Sequence, residues 1–241
     1  MFVPANVREA LWALLAFNHE IAKTRDVVSD AALGAIRLKW WEDEIAKIYE
    51  EKEPAPHEVL TPLMGVIREY ALPRDAFDQL IEARSFDLEE TLPCNLEGLL
   101  NYVDFTTTPL LRLVVKIMGD DPDIELVQPV AMNYALSGVL RTIPYHTRAG
   151  RCFLPEDLLK KHGVSREKPF SPALVEEIAT AQVTGLRPDN TFLRASDGLA
   201  RQYFKQLRRL NYDVTAPRMA LDPPFKALHL IFSMTMGAKF M

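Results

Sequence analysis

Two short stretches of this chain carry side chains spaced by one helical turn in a way that could do chemistry. The first ends in Ala22-Lys23-Thr24-Arg25-Asp26, and the second runs Gly138, Thr142, His146, with Arg141 beside them. Residues four apart share a helix face. Acids in such positions could gather a hard divalent cation, and His146 could serve as a base or a ligand. The residue types stop short of that chemistry. A hard divalent cation takes oxygen ligands, and Asp26 is the one carboxylate these positions offer. An ammonium at Lys23 repels a cation instead of binding it. Asp26 also reads as a solvated or arginine-paired surface acid, and His146 as a half-buried histidine near a helix end.

The elements that must position these residues are helical. Val7, Leu11, Leu14, Leu15, Ile21 and Ala22 recur at three- and four-residue steps, which predicts a helix from Val7 to Thr24. Ser29-Asp30 offers a start for a second, Ala31 to Tyr49, before Pro54 and Pro56. Further helices are expected over about 57–71, 74–89, 95–118, 123–143, 155–162, 173–184 and 190–210, the last with a capping signal at Asn190. An apolar helix is expected from Pro223 to Lys239. Pro144 predicts that the helix carrying Thr142 ends or kinks there, because proline removes a backbone hydrogen bond and clashes with the preceding turn. His146 would then leave the face of Gly138 and Thr142. The tryptophans Trp12, Trp40 and Trp41 read as core or interface residues.

Composition narrows the class. The chain has 241 residues, 48% hydrophobic and 25% charged, with a net charge of -5. These values fit an all-helical globular protein, read as a single domain over 1–241. A nucleic-acid partner is not expected, since Arg201, Lys205, Arg208 and Arg209 make only a short basic patch. Cys94 and Cys152 lack the spacing of a zinc site or a disulfide framework. Leu228 to Met236, the longest apolar run, is shorter than the roughly 20 residues a spanning helix needs, and reads as a core or interfacial helix. The N-terminus has neither a secretory pattern nor the Arg- and Ser-rich character of a transit peptide.

The ordered segments Trp12-Ala-Leu-Leu-Ala-Phe17-Asn18, Gly34-x-x-Arg37-Leu-x-Trp40-Trp41, Leu80-Ile81…Asp87-Leu88, Leu99-x-x-Tyr102 and Gly150-Arg151-x-Phe153-Leu154-Pro155 resemble the squalene and phytoene synthase family. The resemblance implies an all-α, isoprenoid-synthase-like domain around a central cavity. In that family, aspartate-rich helices hold magnesium ions that bridge a prenyl diphosphate. Here Ala22, Lys23, Thr142 and His146 stand where family aspartates are expected, and Gly138 where an asparagine is expected. Ala83 and the run Thr106 to Leu110 replace small residues, which implies a narrowed tunnel.

Within the family the pattern looks like the non-catalytic branch, the phytoene-synthase-like assembly factors of respiratory complex I and their alphaproteobacterial relatives. Leu140-Arg141-x-x-Pro144-Tyr145-His146 carries that likeness most specifically. It implies a vestigial pocket at Asn18, Ala22, Lys23, Asp26, Asp87, Gly138, Arg141, Thr142 and His146, with no catalytic residue, metal ligand or cofactor. The implied partners are respiratory complex subunits or other assembly factors, with an isoprenoid lipid and peripheral membrane association as further expectations. The implied location is the bacterial cytoplasm, at the inner membrane, or the mitochondrial matrix after removal of a leader. The alternative is an active head-to-head prenyltransferase. It would use magnesium, held by Glu20, Asp26 and Asp87.

Overall fold

Helix α1 (Arg8–Ala22) follows a 3-10 turn at Ala5–Val7 and buries Leu11, Leu14, Phe17 and Ile21 completely. The chain is described by a computed structural model over residues 3–89, 92–121, 123–223 and 226. Among these residues no strand forms, and one isolated bridge, Ser165 with Lys168, is the exception to an all-helical chain. No helix among them is long and apolar enough to cross a membrane. The helix expected from Pro223 to Lys239 falls, apart from Pro223 and Lys226, outside the described residues.

Backbone contacts divide the chain into two units, the first comprising Met1–Thr91 and Phe105–Ile124, the second Leu92–Asp104 and Glu125–Met241. In the first unit α1 stops at Lys23, and a separate short helix α2 (Thr24–Val27) follows. Asp30 then caps α3 (Ala31–Tyr49) by accepting the Leu33 N–H at 3.0 Å. Helices α4 (Leu60–Glu69) and α5 (Arg74–Ala83) complete the local packing. Phe17 sits edge-on to Trp41 at 5.6 Å and to Phe77 at 5.4 Å, a geometry aromatic pairs favour.

Of the three tryptophans only Trp41 is core. Trp12 is 57% exposed and Trp40 37% exposed. Neighbours on a helix point about 100° apart, so burying Trp41 turns Trp40 outward, against His57. Helix α5 ends at Ala83, short of the expected Glu89. Tight turns follow, and the Ser85 hydroxyl bonds the Glu82 carbonyl at 2.6 Å. Helix α6 (Leu96–Ile117) gives its opening turns to the second unit and its remainder to the first. Its Thr106 and Thr108 side chains are buried.

The second unit is built on α7 (Ile124–Arg148), which runs unbroken through Pro129 and Pro144. The break expected at Pro144 is therefore not there. The Leu140 carbonyl forgoes one partner, while the turns beyond are held by other bonds, such as that from the Thr147 hydroxyl to the Ile143 carbonyl at 2.8 Å. The helix stops at Gly150 instead. With φ at 71°, Gly150 places its own N–H on Thr147 and the Arg151 N–H on His146, at 3.0 and 2.8 Å. That paired pattern is a Schellman cap.

Helices α8 (Glu156–Lys161), α9 (Pro172–Ala179) and α10 (Thr191–Arg209) pack with α7 on a core that includes Leu136, Leu140, Leu174, Ile178, Phe204 and Leu207. The Asn190 carboxamide caps α10 as expected, accepting from Phe192 and Leu193. Helix α9 is shorter than expected because buried Asn133 takes up both backbone groups of Val183, at 2.7 and 2.9 Å. That clamp holds the following turn out of the helix.

Candidate functional site

In the first unit the end of α1 is an ion cluster. Lys23, the C-cap residue, turns its ammonium back to Glu20, and Arg37 of α3 donates to the other oxygen of the same carboxylate at 2.9 Å. Burial alone would raise the Glu20 pKa. The Lys23 hydrogen bond and the Lys23 and Arg37 charges outweigh burial and hold it below the ordinary carboxylate value. Ala22, half-buried, contributes no polar group. Asn18, one turn earlier on α1, has its buried side-chain oxygen without a hydrogen-bond partner. Asp26 lies exposed on α2, and Asp87 pairs with Arg84 at 3.5 Å, both mostly buried.

In the second unit Gly138, Thr142 and His146 lie on one face of α7, since the helix continues past Pro144. The expected displacement of His146 is thereby corrected. The Thr142 hydroxyl is turned onto its own helix, donating to the Gly138 carbonyl at 2.8 Å, the i−4 back-bond common for threonine. The His146 ring meets Phe153 edge-on at 4.8 Å and Tyr145 at 5.3 Å, and Phe153 stacks on Tyr102 at 5.6 Å. A Cβ added at Gly138 would meet nothing within 4 Å, so no close approach requires glycine there.

Arg141 reaches α10. Its guanidinium donates to the Tyr203 hydroxyl at 2.7 Å and lies 4.4 Å from that ring's centre, a cation–π contact. Asp222 completes the cluster, 3.8 Å from Arg141 and 3.0 Å from Lys226. The Lys226 hydrogen bond keeps the Asp222 carboxyl below its ordinary value. Arg141 was among the positions named from the sequence, whereas Tyr203 and Asp222 were not. The one available signal was the four-residue spacing of Asp222 and Lys226.

At these two helix ends the described residues do not fit a magnesium cluster. The α7 face offers a glycine, a back-bonded hydroxyl and an imidazole, with no carboxylate. At the end of α1, Glu20 is committed to two cations. Among the described residues no three His, Cys, Asp or Glu side chains are grouped to hold a metal ion.

A squalene/phytoene synthase family model matches residues 1–224. This chain belongs to the squalene/phytoene synthase family. A solved dehydrosqualene synthase, crystallised in complex with ligand, superposes on this squalene/phytoene synthase family chain with a TM-score of 0.79. The superposition covers 99% of this chain and 89% of that one, at 15% identity. The likeness establishes the isoprenoid-synthase fold for this family member. The bovine (Bos taurus) NADH dehydrogenase (ubiquinone) complex I, assembly factor 6, is 26% identical over 239 residues, 91% of this chain and 71% of its own length. Presqualene diphosphate synthase of Rhodopseudomonas palustris is 27% identical over 170 residues, 69% of this chain and 60% of its own length. Assembly factors and catalysts thus both stand among the relatives of this squalene/phytoene synthase family chain at similar identity.

Proposed function

We propose that this chain acts as one squalene/phytoene synthase-like domain without prenyltransferase activity, as an assembly or interaction factor for a respiratory complex. The observation that carries the reading is the Lys23–Glu20–Arg37 cluster at the end of α1. A cation paired to the nearest carboxylate occupies a place where a diphosphate-binding enzyme of this family needs free acids for magnesium. The bovine relative's name supports an assembly role. Its partners would be respiratory complex subunits or other assembly factors. Its place would be the bacterial cytoplasm at the inner membrane, or the mitochondrial matrix. Capture of the tagged full chain from its native cells, followed by mass spectrometry, tests the role. Enrichment of complex I subunits over an unrelated tagged protein is expected, and their absence would count against it.

A second reading, a head-to-head prenyltransferase, is favoured by the 27% identity to presqualene diphosphate synthase. It requires Glu20, Asp26 and Asp87 to form a new metal cradle. Breaking the Glu20 and Asp87 ion pairs would have to precede metal binding. Crystals soaked with magnesium and a thio-diphosphate analogue would support it only with metal density bound to those carboxylates.

A further inference from the structure

Helix α10 and the 3-10 turn Pro217–Ala220 border a cavity of about 660 Å³ within the second unit. The Gln206 amide ties the two together, donating to the Arg218 carbonyl at 2.6 Å and the Leu221 carbonyl at 3.2 Å. Arg201, Lys205 and Arg209 fall at four-residue steps on one face of α10 and line this groove, and Arg218 joins them from the turn. Arg208 instead reaches Gln182 at 3.4 Å. Residues 198–212 hold four basic side chains and no acidic one, although like charges one turn apart repel. Other exposed helix faces pair a cation with an acid one turn away: Lys39 with Glu42 and Asp43, Arg74 with Asp78, Lys160 with Glu156. In the groove Arg201 has such a partner in buried Asp197. Among the described residues no ion pair engages Lys205, Arg209 or Arg218. The last turn of a helix favours cations, which accounts for Arg209 and leaves Lys205 and Arg218 without a structural reason.

The spacing and the polar lining specify more than negative charge. Four residues of α-helix rise roughly 6 Å, and alternate residues of an extended chain lie about 6.7 Å apart. Acids at every second position of an extended segment therefore match Arg201, Lys205 and Arg209 in register. Leu210, Leu221 and Pro223 line the same cavity and suit the apolar stem of glutamate. The lining carboxylate Asp222 is already engaged by Lys226. Both polar atoms of the Gln202 carboxamide are buried without a hydrogen-bond partner, a costly state. Because neither atom is engaged, the carboxamide can turn into the cavity it lines without losing a bond. It then offers an acceptor and a donor, the complement of a main-chain N–H and C=O. A phosphate diester or a carboxylate has no proton to donate and would leave that acceptor unmatched.

We infer that this groove docks an extended acidic segment of a partner protein, with glutamates at alternate positions on Arg201, Lys205 and Arg209 and its main chain on Gln202. Arg218 adds a fourth cation from the turn. The chain as a whole bears a net charge of -5, so the groove is a local inversion that draws an acidic partner to this face and fixes its register. Such a segment binds whether or not the chain serves a respiratory complex.

The test is fluorescence anisotropy of labelled peptides titrated with the 241-residue chain. Glu-Ser-Glu-Ser-Glu-Ser should bind saturably, weakening as salt rises. Glu-Glu-Glu-Ser-Ser-Ser carries the same charge out of register and should bind about tenfold more weakly, and Gln-Ser-Gln-Ser-Gln-Ser should not bind. The triple variant Lys205→Glu/Arg209→Glu/Arg218→Glu should lose about a hundredfold in affinity for the alternating peptide, and Gln202→Leu about fivefold. The control Lys39→Glu/Lys52→Glu/Lys160→Glu makes the same change in net charge at other exposed sites. It should bind within about threefold of the parent, since Debye screening confines the effect to the groove. If the triple variant does not fold, judged by circular dichroism, Lys205→Gln/Arg209→Gln serves instead, with a loss of about tenfold. Equal binding of the glutamine or the out-of-register peptide, an equal loss in the control, or an undiminished Gln202→Leu would overturn the docking. So would binding to phosphatidylglycerol vesicles without binding of the alternating peptide.

Discussion

The end of α1 and the end of α7 offer little to a metal ion among the described residues, for different physical reasons. At α1 the reason is electrostatic: Glu20 is held between Lys23 and Arg37, and its charge is paired inside the protein. At α7 the reason is one of packing and backbone. Thr142 bonds its own helix, His146 lies against Phe153, and Gly150 ends the helix with a paired cap. A helix end can thus hold its acid in internal ion pairs or present a face that carries no acid at all. The two ends should respond to different perturbations.

The largest effect is expected at α7. Gly150→Val should destabilise the protein by about 2 kcal/mol in urea unfolding, because a β-branched residue resists positive φ. A Cβ there would meet nothing within 4 Å, so the loss is one of backbone conformation alone. An unchanged midpoint would mean that the cap does not set the helix end.

Next in size is Pro144→Ala, expected to stabilise by about 1–2 kcal/mol. Alanine restores the N–H that the Leu140 carbonyl lacks, and the gain exceeds the entropy proline removes from the unfolded chain. A destabilised variant would mean that Pro144 is held by contacts stronger than the missing bond.

At α1 the expected effect is smaller and depends on pH. Glu20→Gln should cost about 1 kcal/mol near neutrality, where the carboxylate pairs with partly exposed partners. The folded pKa lies below the unfolded value of 4.5, so the folded state binds fewer protons between the two. The contribution is complete above 4.5 and is lost as the pH falls through the folded value. The gap between parent and variant should close in acid. A gap independent of pH would assign the effect to packing, and the contrast between the two ends would fail.

Local features of this architecture were legible from residue order. The Asp30 and Asn190 caps, the run of helices and the shortage of carboxylates follow from side chains acting on their near neighbours. What was illegible depends on partners distant in sequence. Asn133 clamps Val183 and Arg141 meets Tyr203 across 50 and 62 residues, and no local pattern announces either. Pro144 was misread because its local penalty was weighed without the cap at Gly150 and the core around Leu140 and Ile143. The exposed Trp12 and Trp40 show the same limit, since periodicity places a residue on a face without saying what covers that face.

Product formation is the most direct test of the central claim. The purified 241-residue chain is incubated with farnesyl or geranylgeranyl diphosphate and magnesium, while released diphosphate and extracted lipids are followed over time. The account predicts no diphosphate above a protein-free control and no condensed product. Sustained diphosphate release with a squalene-, presqualene- or phytoene-type product would contradict it.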